Sequence, residues 1–287
     1  MQRISKRGIR RIGALIATVM VLAIAAPAGG QPVVPACDTV PGQVFDRPIH
    51  RSLPFSPGLG EAQLARLALP YAMMTADADN RRDDSLAPFG FVRGPDSLEI
   101  FADLRDGSAA QALFNGFYSV VYFHCRERAL VIVQRAVQDL DPRDWITGAV
   151  RQLGSGEDPL AVRFYDAVAA LYPDYDIALA GLSAAGAATS YVGAMRGAPS
   201  VLINPARTDA AFLNSGRNQL IVIIAGDVIS DPFAPQATGL SAAIQTVLGS
   251  ERVLPGTILR LNPTRDWGST SRLHQIDVVV SELEGAI

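Results

Sequence analysis

Ser183 stands in a run of residues almost without bulk, Gly181-Leu182-Ser183-Ala184-Ala185-Gly186. A hydroxyl is a weak nucleophile until a base takes its proton, and histidine is the side chain whose ordinary pKa suits that task near neutrality. The chain has three histidines, His50, His124 and His274. His50 falls in a stretch rich in Pro and Gly, and His124 in the turn-like segment HCRER. His274, in "SRLHQIDVVVSEL", lies between the last expected strand and the last expected helix. The imidazole in turn needs a carboxylate to hold it. "IVIIAGDVISDPF" supplies Asp227 directly after an apolar run, with Asp231 as a nearby substitute. Taken together, Ser183, Asp227 and His274 are the parts of an acyl-transfer site: nucleophile, orienting acid and general base. Each alone has a plainer reading, as a tight connection, a turn-forming Asp or a structural His. Three at successive strand ends, in the order Ser, Asp, His, carry more weight.

These residues need elements to position them. Glu61 to about Ala78 has helical spacing, with Pro70 as an expected kink. Leu98 to Phe101 reads as a short strand. Phe117 to Phe123 and Ala129 to Val133, on either side of the turn His124 to Arg128, read as a hairpin. Asp144 to Leu153 and Asp158 to Leu171 read as helices. Asp176 to Ala180 reads as a strand turning sharply into a helix from Ala184 to Met195, with Ser183 at the junction. Strands follow at Ser200 to Ile203, Gln219 to Ala225 and Thr257 to Leu261, and a closing helix at Ile276 to Glu284. Strands alternating with helices predict an α/β protein, its central sheet mostly parallel and covered by helices on both faces. The polar stretch Asp77 to Gly94 is a candidate lid or an ordinary surface loop.

These motifs resemble those of the class 3 lipases and their phospholipase-like relatives, over roughly residues 62 to 286. The elbow of that family reads Gly-His-Ser-Leu-Gly-Gly; here it is Gly181 to Gly186 as quoted. The family also has a strand ending in Arg-Gly-Thr or Arg-Gly-Ser, then Asp-Trp. Here "VIVQRAVQDLDPRDW" gives Arg135-Ala136-Val137 and Asp144-Trp145, and "LINPA" at 202–206 is similar to the family's Phe-Asn-Pro segment. The resemblance implies an α/β-hydrolase fold, an ester-cleaving activity without cofactor, and Ser183, Asp227 and His274 as the triad. It implies that the backbone N–H groups of Ala184 and Val137 form the oxyanion hole. Three positions depart from the pattern. Leu182 replaces a His that the chemistry does not need, and Ala185 replaces a Gly. Val137 stands where the family has a hydroxyl that helps to hold the oxyanion, a loss that bears on rate rather than mechanism.

The chain has 287 residues with 25 basic and 28 acidic side chains. Arg3, Lys6, Arg7, Arg10 and Arg11 precede the apolar run Ile12 to Ala26, and Ala26-Pro27-Ala28 offers a small-x-small cleavage pattern. Residues 1–28 therefore read as a signal peptide, with an uncleaved anchor as the alternative, and the chain as exported after cleavage near Ala28. Residues 29–60 read as an extended arm and 61–287 as the hydrolase domain. Removing the five basic residues of the leader leaves 20 basic against 28 acidic, a net charge of −8. That balance, without a basic stripe, argues against nucleic acid as a partner. Cys37 and Cys125 form either a disulfide or, if Cys37 is lipidated, no pair. They lie 88 positions apart and the histidines are scattered, so no metal cluster is expected. The expected partner is a small-molecule or lipid ester, with peripheral contact at a lipid surface and no obligate protein partner. The other readings are a catalytically weakened hydrolase-fold binding protein of the cell envelope and an acyl-transfer enzyme for thioesters or polyhydroxyalkanoate-type polymers.

Overall fold

The apolar runs on either side of His124 to Arg128 form an antiparallel pair, β2 (Tyr118–His124) and β3 (Ala129–Arg135), as their β-branched and aromatic composition predicts. In this computed structural model the described residues are 58–79, 86, 89–135, 159–206, 218–227, 229–231, 256–269 and 272–287. A strand β1 (Phe91–Asp96) lies antiparallel on the outer side of β2. From β3 onward the pairing is parallel, through β4 (Asp176–Leu182), β5 (Ser200–Ile203), β6 (Gln219–Ile224) and β7 (Thr257–Leu261). Among the described residues the sheet therefore has seven strands in chain order, five of them forming a parallel array.

Alternation along the strands divides the core between two faces. Val131, Val133, Ala178, Ala180, Val201, Ile203, Val222 and Ile224 point to one face. There they meet α1 (Glu61–Ala78) and the C-terminal α6 (Ile276–Ala286). Val121, Phe123, Leu130, Ile132 and Leu179 point to the other. They pack against α2 (Ser97–Leu104), α3 (Ser108–Asn115), α4 (Pro159–Leu171) and α5 (Ser183–Arg196). The α/β class and the helices on both faces thus stand as expected. α1 spans the predicted range and continues on both sides of Pro70, which is buried.

Two readings change. Leu98 to Phe101, expected as a strand, is part of α2. The Asp96 carboxylate accepts the N–H groups of Leu98 (2.9 Å) and Glu99 (3.1 Å), while Glu99 Oε2 accepts the Asp96 N–H (2.8 Å). This reciprocal cap starts a helix at once and outweighs the β-like look of Leu-Glu-Ile-Phe. The strand lies just before it, disguised by Gly94 and Pro95. A Cβ at residue 94 would sit 2.4 Å from the Phe123 ring, and Pro is tolerated because β1 is an edge strand. The same strand takes in Phe91 to Gly94 of the lid candidate. The other end of that candidate is anchored as well: Asp77 lies in the last turn of α1 and accepts bonds from Arg93 (2.7 Å) and Tyr122 (2.6 Å). The leader at 1–28, the arm up to residue 57, His50, Cys37, the helix expected at Asp144 to Leu153, and Val137 lie outside the described residues. Cys125 is disulfide-bonded.

Candidate active site

The junction of β4 and α5 is a sharp elbow. Leu182 is still extended (φ −103°, ψ 143°), and Ser183 is left-handed, with φ 57°. A non-glycine residue in that region costs about 1–3 kcal/mol and persists only where its surroundings enforce it. The surroundings here are steric. A Cβ on residue 181 would lie 2.4 Å from Thr189 Oγ1 and 2.7 Å from the Ala185 carbonyl oxygen; one on residue 186 would lie 3.1 Å from both the Gly181 carbonyl and Pro205. Only glycines let the strand and the helix approach so closely. Ala185, where the resembling family has Gly, is helical and buried, and its methyl is accommodated. The Ser183 carbonyl accepts the N–H of Ala206 at 2.8 Å, tying the elbow to the segment after β5. Ser183 opens α5, where the N–H groups of the first helical turn, that of Ala184 among them, lie at the positive end of the helix.

Asp227 comes three residues after β6 and is fully buried. Its Oδ2 accepts from His274 Nδ1 (2.8 Å) and Ser230 Oγ (2.5 Å), and its Oδ1 from the Ile229 N–H (3.1 Å). A buried carboxylate is tolerated when donors surround it in this way. His274 ends a single 3-10 turn (Arg272–His274) just before α6. An ionised carboxylate can only accept, so Nδ1 carries a proton, and in the neutral ring the lone pair lies on Nε2. Nε2 is buried and has no hydrogen-bond partner among the described residues. The expected chain of three therefore has one link made, Asp227 to His274, and one not made, His274 to Ser183. Such bonds are often long without substrate and tighten when it binds.

Asp231, the substitute acid, is otherwise engaged. Its carboxylate accepts the Gly226 N–H (2.7 Å) and pairs with Arg260 (3.0 Å). His124 stands at the far end of β2, at the opposite sheet edge from Ser183. Its Nδ1 accepts the Glu127 N–H (3.2 Å), its ring packs edge-on against Phe91, and burial holds its pKa below the ordinary value. Among the described residues no group of His, Cys, Asp and Glu could hold a metal ion. No described helix is long and apolar enough to cross a membrane.

Two residues at the site escaped the sequence reading as participants. Ser230 is buried and bonds Asp227 directly. Asn204, buried and left-handed (φ 38°), sits directly after β5. An Asn before Pro at a strand end was the available signal, since Asn tolerates that backbone region.

A mostly parallel sheet with Ser183 at an elbow after β4, Asp227 after β6 and His274 before the last helix is an α/β-hydrolase arrangement. Solved structures similar to it are fungal lipases. Rhizomucor miehei lipase in complex with its propeptide is 16% identical, with 77% of each chain covered and a TM-score of 0.46. A triacylglycerol lipase from Penicillium expansum is 15% identical, covering 71% of this chain and 81% of that one, with a TM-score of 0.45. A lipase from Yarrowia lipolytica is 16% identical, covering 69% and 77%, with a TM-score of 0.42. No protein-family profile and no curated protein sequence matches the chain.

Proposed function

We propose that the chain is an exported carboxylic ester hydrolase, lipase- or esterase-like, acting through Ser183, His274 and Asp227. The observation that carries this reading is the histidine. A buried carboxylate holds Nδ1 at 2.8 Å, leaving Nε2 buried without a partner among the described residues, at the sheet edge that carries the strained serine. Unpaired buried acceptors cost about 1–3 kcal/mol, and a base awaiting a proton accounts for this one.

In the proposed reaction Ser183 Oγ attacks the ester carbonyl carbon as His274 Nε2 takes its proton. Asp227 keeps the ring in the competent tautomer and stabilises the imidazolium. The oxyanion is received by the N–H of Ala184, at the positive end of α5, and by that of Val137. Collapse of the tetrahedral species breaks the ester C–O bond, and the leaving alkoxide takes the proton from His274. Water, deprotonated by the same nitrogen, then frees the acid from the acyl-enzyme.

The test is hydrolysis of p-nitrophenyl esters graded by acyl length, beside covalent labelling by a fluorophosphonate probe. Ser183→Ala is expected to lower kcat by at least about ten-thousandfold and to abolish labelling. Equal turnover by wild type and variant sinks the reading. Folded wild type with neither turnover nor labelling favours the weakened binding protein instead.

A further inference from the structure

Asn204, Pro205 and Ala206 touch all three parts of the site. Ala206 donates its N–H to the Ser183 carbonyl (2.8 Å), and Pro205 lies against Gly186 of the elbow helix. The Asn204 side chain reaches the other two. Its Oδ1 accepts the N–H of Ile224 (3.0 Å), the last residue of β6 before the acid loop. Its Nδ2 donates to the carbonyl of Leu273 (2.9 Å), whose peptide carries His274 on its other side. These two bonds fix which end of the amide is which. The Ser230 hydroxyl lies 3.3 Å from the same Oδ1, but it has one proton and a carboxylate at 2.5 Å to receive it. That proton goes to Asp227, so Ser230 bonds the acid and only lies beside Asn204.

We propose that Asn204 is a positioning residue for this site: its amide locks the acid-bearing loop and the base-bearing turn to each other, through partners 20 and 69 residues further along the chain. This rests on the acyl-transfer reading above. An acceptor and a donor at the two ends of one short, planar, buried group are what the two backbone partners require. Asp offers no donor to the Leu273 carbonyl, and an apolar residue satisfies neither partner. Asn also accepts the left-handed backbone that aims the amide between the loops.

The test uses the full chain with Asn204→Asp, which keeps size and the acceptor, and Asn204→Gly, which keeps the backbone geometry and removes the amide. Both are measured for kcat and KM on a p-nitrophenyl ester, for cooperative melting, and for the low-field proton resonance of the His274–Asp227 bond. The expected result is a kcat lower by roughly a hundredfold with KM within about twofold, as for misplacement of reacting groups. The low-field resonance weakens or vanishes while cooperative melting persists. Folded variants with lower melting temperature, kcat within about threefold of wild type and the resonance intact overturn the proposal, since a merely structural residue behaves so. If wild type cleaves no ester, the acyl-transfer reading fails, and the resonance alone still judges whether Asn204 positions His274.

Discussion

The two halves of the candidate site are built by opposite means. The elbow is shaped by missing atoms: Gly181 and Gly186 have no Cβ where a Cβ would strike Thr189, Ala185 or Pro205, and Ser183 is left in a strained backbone state. The acid–base half is shaped by polar bonds that are made. Asp227 takes three donors, and Asn204 joins the ends of β6 and of the His274 turn. Steric construction sets a backbone angle within a few neighbouring residues. Polar construction sets distances between segments far apart in the chain, and it fails if any one donor is removed.

That difference can be tested hardest at the acid. Asp227→Asn keeps the volume and puts an NH2 donor in place of one accepting oxygen, so the tautomer of His274 is no longer fixed and kcat should fall by roughly ten-thousandfold with the melting transition retained. The control is Asp231→Asn, four residues on. Its carboxylate is buried, but its Arg260 partner is more than a third exposed, so the pair contributes modestly to stability. Its kcat should stay within about fivefold of wild type, a size of effect expected of a group outside the reacting chain. Steady-state kinetics on both variants decides the matter; a reversed ranking would make Asp231 the acid and break the description of the polar half.

The same contrast explains what could be read from the sequence. The parallel array, the hairpin, α1 and the elbow were legible because their causes are local: period-two apolar runs, and small residues packed around one serine. Asp227 and His274 were legible by position at strand ends, and the structure joins them. The Asn204 bonds were not legible, because Ile224 and Leu273 lie 20 and 69 residues away and their backbone groups carry no side-chain signature. Ser230 looked like any loop serine. At β1 the signal is local: Asp96 with Glu99 three residues later is a cap signal, and Gly94 with Pro95 disguise the strand before it.

The steric half makes its own forecast. Gly181→Ala places a methyl 2.4 Å from Thr189 Oγ1 and 2.7 Å from the Ala185 carbonyl oxygen. The threonine end can turn aside, but the carbonyl belongs to the backbone of α5 and cannot. A loss of about 3 kcal/mol is expected, at the upper end of ordinary overpacking. Adding Thr189→Ala should recover less than half of it, because the backbone contact remains and the Thr189 bond to the Ala180 carbonyl is lost as well. Denaturant melts of the single and double variants measure this. Full recovery would show that a flexible side chain, not the elbow backbone, dictates glycine at 181.

The smallest effect lies at Ser183 itself and separates strain from chemistry. Both Ser183→Ala and Ser183→Gly remove the hydroxyl and should be equally inactive. Their stabilities should differ. At φ 57° an L side chain is strained by about 1–2 kcal/mol, which glycine avoids. Glycine loses about 0.4–1 kcal/mol of that advantage through its freer unfolded chain. Ser183→Gly should therefore be the more stable of the two by about 1 kcal/mol, the reverse of the order at an ordinary helix position, where alanine leads. Paired chemical denaturation resolves a gap of this size. Alanine at least as stable as glycine would mean that residue 183 is not held in the left-handed state in solution. The elbow would then lose the one feature that lifts its hydroxyl out of an otherwise unremarkable strand-to-helix turn.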